Sequence, residues 1–106
     1  MKKLIFILIT FVTINNISYA NLNTLTCKSL LNKNKANIVY GQNFAKEEMS
    51  PNIWLFFQKV SLNNNYLNII SIDDDKPIRE WKIDLVSGEA TLIPMFDPKS
   101  QWLCKI

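Results

Sequence analysis

Histidine is absent from this chain. Its absence removes the side chain that titrates nearest neutral pH, and with it the Ser–His and Cys–His arrangements of nucleophilic catalysis. Cysteine is scarce, present only as Cys27 and Cys104. A structural zinc site needs four Cys or His ligands, and this chain cannot supply them. Glycine occurs only as Gly41 and Gly88, so no glycine-rich loop exists to cradle a phosphate. Neither sign of charge dominates, with 12 basic residues against 9 acidic ones. No polybasic cluster marks a nucleic-acid or anionic-lipid surface.

One enzymatic option survives these absences, a pair of carboxylates of the kind glycosidases use. Glu47 with Glu48, or Asp73 with Asp75, are the candidates. Neighbouring carboxylates in polar stretches are ordinarily solvated, and a small domain has little room for a substrate cleft. The Asp73, Asp74, Asp75 run does not make a calcium loop. Counting from Asp73, position six is Ile78 and position twelve is Asp84, where an EF-hand needs glycine and glutamate. The reading is therefore of a non-enzyme, with no cofactor and no metal.

The N-terminus carries the strongest positive signal. Lys2 and Lys3 precede an apolar run over 4–14, interrupted by Thr10 and Thr13. Ser18 and Ala20 place small residues at −3 and −1 of a cleavage site. This is the order of a secretory signal peptide. The run is about eleven residues, whereas a membrane-spanning helix needs roughly twenty. Residues 1–20 are expected to be cleaved, leaving 21–106 as one domain that does not insert in a membrane. Loss of Lys2 and Lys3 brings the basic residues to ten, so the alkaline character fades. Abundant Asn, Lys and Ile resemble an AT-rich bacterial coding sequence, and no Asn-x-Ser/Thr sequon lies beyond residue 20. Periplasmic or secreted localisation is the expectation.

In an oxidising compartment, two cysteines pair in only one way. Cys27 lies too far beyond the cleavage site to be a lipoprotein cysteine. A Cys27–Cys104 disulfide would close nearly the whole domain into a loop, worth about 4–5 kcal/mol on the chain-entropy model. A domain this small has a thin core and benefits from such a link.

Beyond residue 20 the pattern is that of a mainly β chain. Residues 25–31 and 36–40 read as strands. The stretch 42–52 reads as irregular, with room for one helical turn over 45–49 ended by Pro51. Residues 53–62 are the most apolar and read as one central strand. Asparagines 63–65 make a turn, and 66–72 a strand. From 79 to 86, Trp81, Ile83 and Leu85 alternate with charged residues, and Ser87-Gly88 signals a two-residue hairpin turn. Residues 89–95 and 101–106 close the chain. Trp81 and Trp102 are expected in the core, whereas Trp54 is assigned to neither face. Six or seven short strands of this kind predict a small antiparallel meander, barrel-like or a curved sheet. The disulfide requires the first and last strands to be neighbours.

The function expected is that of a small secreted or periplasmic binding protein. It would act as an inhibitor or an immunity protein, blocking a hydrolase or toxin; this follows from class alone. The candidate partner-binding residues are Phe44, Glu47, Glu48 and Met49 on the stretch 42–52, and Asp73, Asp74 and Asp75 on a second surface running from Asp73 to Arg79. The alternatives are an assembly subunit of the cell envelope and a small-ligand carrier.

Overall fold

The computed structural model describes residues 22–106; the signal-peptide reading of 1–20 lies outside them. The fold is one antiparallel sheet of nine strands, curled into a half-barrel, with no helix among the described residues. In chain order these are β1 (Asn23–Ser29), β2 (Lys35–Tyr40), β3 (Ala45–Ser50), β4 (Ile53–Phe56), β5 (Lys59–Asn63), β6 (Tyr66–Asp73), β7 (Lys76–Asp84), β8 (Glu89–Pro94) and β9 (Ser100–Lys105). Across the sheet they run β4-β3-β2-β1-β9-β8-β7-β6-β5. The mainly β, curved-sheet expectation holds.

Side-chain alternation builds the concave core. Leu25 and Cys27, Ala36 and Ile38, Leu67 and Ile69, Trp81 and Ile83, Ala90 and Leu92, and Trp102 and Cys104 all point inward and are buried. Each sits two residues from its partner, the period that puts side chains on one face. Trp81 and Trp102 meet edge to face with ring centroids 5.2 Å apart, an arrangement favoured by the ring quadrupole. Both tryptophans are core, as their spacing predicts. Trp54 lies on the convex face, where the Lys46 ammonium sits 4.3 Å from its ring centroid.

The first and last strands are neighbours, and Cys27 is directly opposite Cys104. The Cys104 N–H donates to the Gly88 carbonyl on the β8 side. The cysteines therefore form a non-hydrogen-bonded pair across β1 and β9, the closer kind of pair in an antiparallel ladder. A disulfide joins them.

Three local expectations are corrected. The first is 42–52, which is not irregular and makes no helical turn: 45–50 form strand β3. Its inward positions are Ala45 and Glu47, so the alternation hides behind a charged residue in a core position. The second is 53–62, which is two strands at the two edges of the sheet rather than one central strand. Leu55 and Phe57 face the core, then Val60 and Leu62. The inward phase thus slips by one residue at Gln58–Lys59, which bends the chain as a bulge does. At this corner the Phe57 N–H donates to the Ala45 carbonyl of β3, and the Gln58 side chain accepts from the Ile72 N–H of β6. This bent segment, which links the edge strands β4 and β5, therefore also bonds to the next strand in from each edge and draws the two sides together.

The third correction is the turn after β7, which spans 85–88 rather than two residues. The Gly88 N–H reaches back to the Asp84 carbonyl at 2.8 Å. The Asp84 carboxylate accepts the backbone N–H groups of Val86 and Ser87, and these bonds hold its pKa below the ordinary aspartate value. The tight two-residue turns are elsewhere. Asp74 and Asp75 both have positive φ, as a type I′ turn requires.

Candidate functional site

The end of the sheet where β1 passes into β2, β3 into β4, β6 into β7 and β8 into β9 carries the site. There the concave face opens into a cleft of about 480 Å³. The loops 30–34 and 95–99 flank it.

On the cleft floor, Glu47 of β3 is 2% exposed. Its Oε1 accepts from Arg79 Nε at 2.7 Å and from Trp81 Nε1 at 2.8 Å, and its Oε2 accepts from Arg79 Nη2 at 2.8 Å. Arg79 and Trp81 belong to β7, with four strands between it and β3 in the sheet. The contact therefore crosses the interior of the curl and ties its two walls together. A buried carboxylate needs this much partnering, because an uncompensated charge in the interior is costly. No other ion pair occurs among the described residues.

Four large apolar side chains crown the two flanking loops. Leu31 is 85% exposed and Phe96 88%, and Leu30 and Met95 are exposed beside them. Loop 30–34 is held by its own bonds. The Ser29 N–H donates to the Asn34 carbonyl, the Leu31 N–H to Ser29 Oγ, and the Leu30 N–H to the Gln101 carbonyl. The two loops spring from the strands that the Cys27–Cys104 disulfide joins.

Of the residues expected to form one docking loop, Glu47, Glu48 and Met49 all belong to the cleft lining and Phe44 does not, and their side chains point different ways. Phe44 is half-buried at the far end of β3, packed edge to face on Phe56. Glu47 faces inward and cannot reach a partner, because its carboxylate is consumed by Arg79 and Trp81. Glu48 is part of the cleft rim, and its side chain turns to the opposite side of the sheet and accepts from Asn37. Met49 is exposed and lines the cleft. Asp73, Asp74 and Asp75 lie exposed at the β6–β7 turn, at the same end as the cleft but not in its lining. The strand pleat separates Glu47 from Glu48, and the length of β3 separates Phe44 from Met49.

Among the binding candidates of the sequence reading, Arg79 enters only as the end of the second surface, 73–79, and Leu30, Leu31, Met95 and Phe96 do not enter. One signal for them was present. A phenylalanine in the turn 96–100 has no core to enter, and the expected disulfide already brings that turn beside residues 30–34. Tyr40, buried near the opposite end, has its phenol pKa raised by desolvation and stays neutral at physiological pH. Among the described residues no group of three or more His, Cys, Asp or Glu side chains is placed to hold a metal ion. No helix among them is long and apolar enough to cross a membrane.

The disulfide fits an oxidising compartment, and the molecule is a disulfide-linked, curled antiparallel sheet with a cleft at one end. No protein-family model matches this chain, and no curated protein or solved structure is significantly similar to it.

Proposed function

We propose that this protein is a small secreted or periplasmic binding domain, an inhibitor or immunity protein that blocks a hydrolase or toxin. It engages that partner with loops 30–34 and 95–99. The observation that carries the reading is the exposure of four large apolar side chains, Leu30, Leu31, Met95 and Phe96, on the two loops that flank one cleft. Exposed apolar clusters of this kind mark interaction surfaces, and large apolar anchors supply most of an interface's energy. The bonds of loop 30–34 fix Leu30 and Leu31 before binding, so less ordering entropy is lost on association. The absence of histidine from the sequence supports a role in blocking rather than catalysis.

Capture of a single hydrolase or toxin from periplasmic extract or culture medium by the oxidised protein, with loss of that enzyme's activity, supports this reading. Leu31→Asp with Phe96→Asp should abolish capture without changing the melting temperature. Capture undiminished by that pair of substitutions overturns the assignment of the surface.

A second reading has its own observation. Strand β4 is a sheet edge, and its convex side exposes Phe56. Such an edge can add a strand from another subunit, as an envelope assembly subunit would require. Self-association that rises with concentration and is lost in Phe56→Lys favours that role.

A further inference from the structure

Arg79 is only half used. A guanidinium carries five N–H donors, arranged as one edge through Nε and Nη2 and a second through Nη1 and Nη2. Glu47 occupies the first edge completely. Nη1 makes no hydrogen bond, and no fully buried side-chain nitrogen or oxygen among the described residues lacks a partner. Nη1 therefore has access to solvent. The Arg79 side chain is 21% exposed and lines the cleft, so that access is through the cleft. The second edge has the spacing that grips a carboxylate with two parallel bonds.

The surroundings restrict what can sit there. The charge of Arg79 is already balanced by Glu47. The other charged residues of the lining balance as well, Lys35 and Lys99 against Glu48 and Asp97. An incoming group thus meets directional donors but no net positive field, which suits a single negative charge better than a phosphate dianion. Leu92, Pro94 and Trp102 line the same cleft, and their apolar surface suits methylene groups. A carboxylate on a short aliphatic stem matches both features.

We infer that the cleft receives an acidic side chain of the partner protein, its carboxylate bound to the Nη1–Nη2 edge of Arg79 and its methylenes against Leu92 and Trp102. This rests on the interface reading above and names what the apolar crown guides into the cleft. Glu47 is then a positioning residue: it holds the guanidinium flat and aims the free edge outward.

The test needs no knowledge of the partner. The whole secreted domain, disulfide intact, is titrated with the blocked peptide acetyl-Gly-Glu-Gly-amide, with its glutamine counterpart and with inorganic phosphate. The readout is the NMR shift of the Arg79 Nε–H and of the Trp81 and Trp102 indole N–H groups. The glutamate peptide should give a saturable shift, with the glutamine peptide and phosphate at least about fivefold weaker, because a charge-assisted bidentate pair is roughly twice as strong as a neutral bond. Arg79→Lys keeps the cation and removes the fork, and should erase the preference for glutamate over glutamine. Should that variant not fold, the wild-type preference decides alone.

No saturable shift, equal affinity for both peptides, or tighter binding of phosphate overturns the inference. A partner captured through the apolar loops, with no response to the glutamate peptide, sinks this inference and leaves the interface reading standing. A response to the peptide with no partner captured overturns the interface reading and the partner as the source of the carboxylate, and leaves only the carboxylate site on Arg79.

Discussion

Glu47 is the residue on which the interior depends most. Its two oxygens hold three donors, and removing the carboxylate leaves the Arg79 cation and the Trp81 indole N–H unpaired inside the curl. Breaking a buried pair from one side typically costs 3–5 kcal/mol, and the partial exposure of Arg79 places this case at the lower end. Glu47→Ala should therefore lower unfolding free energy by about 3 kcal/mol in urea titration. The same substitution at Glu48, on the convex face, should change it by less than about 1 kcal/mol. Equal effects would contradict the description of the triad. Glu47 and Glu48 are adjacent acids in sequence and opposite in role, and nothing in one sequence distinguishes them. The distinction comes from Arg79, 32 residues away along the chain.

Asp84 is the other acid with a defined task. Its carboxylate form accepts two backbone N–H bonds, so its pKa is lower in the folded state than in the unfolded chain. The stability it contributes is full above the ordinary aspartate pKa and is lost as pH falls through that value and then through the depressed folded one. Asp84→Asn should flatten the fall in melting temperature across the acid range, roughly pH 5 to 2, relative to the parent. An unchanged acid slope would show that the carboxylate carries no such linkage.

At the scale of elements, strands with long stretches of period-two alternation were readable, even where a bulge at Ser71–Ile72 shifts the β6–β7 register. The strands corresponding to β1, β2, β6, β7, β8 and β9 all follow from period-two burial and turn residues. Strand β3 was unreadable because Ala-Lys-Glu-Glu-Met carries helix-favouring residues, and because the core residue in it is an ion pair's acid; tertiary context overrides local propensity here. The apolar run 53–62 concealed a one-residue phase slip, since Phe56 and Phe57 are equally hydrophobic and only the pairing decides which one faces inward.

The β7–β8 turn gives a direct test at this scale. Gly88 has φ +83°, and a β-carbon there would collide with the Cys104 carbonyl oxygen. Gly88→Ala meets both an unfavourable left-handed backbone and a backbone atom that cannot move aside without shifting β9. A loss of at least about 1–2 kcal/mol is expected by thermal unfolding. A neutral substitution would mean that the turn has another conformation.

At the scale of the whole molecule, the disulfide decides how much of the sheet survives as a unit. The two cysteines are 77 residues apart and sit on neighbouring strands. Closing a loop of that length is worth about 4–5 kcal/mol against the unfolded chain. Cys27→Ser with Cys104→Ser should lower the midpoint of chemical unfolding by a corresponding amount. The neighbouring of β1 and β9 was legible from cysteine count alone. The site was not, because it is assembled from loops 30–34 and 95–99 and from an arginine on a third strand, elements that only the curl brings together.

The most direct test of the proposed function is hydrogen–deuterium exchange on the domain with and without its captured partner. Binding through the cleft end predicts new protection concentrated in 30–34 and 95–99, with the 41–44 and 85–88 turns at the far end unchanged. Protection confined to 53–56 or to the far-end turns, with those two loops exchanging as in the free protein, would contradict it.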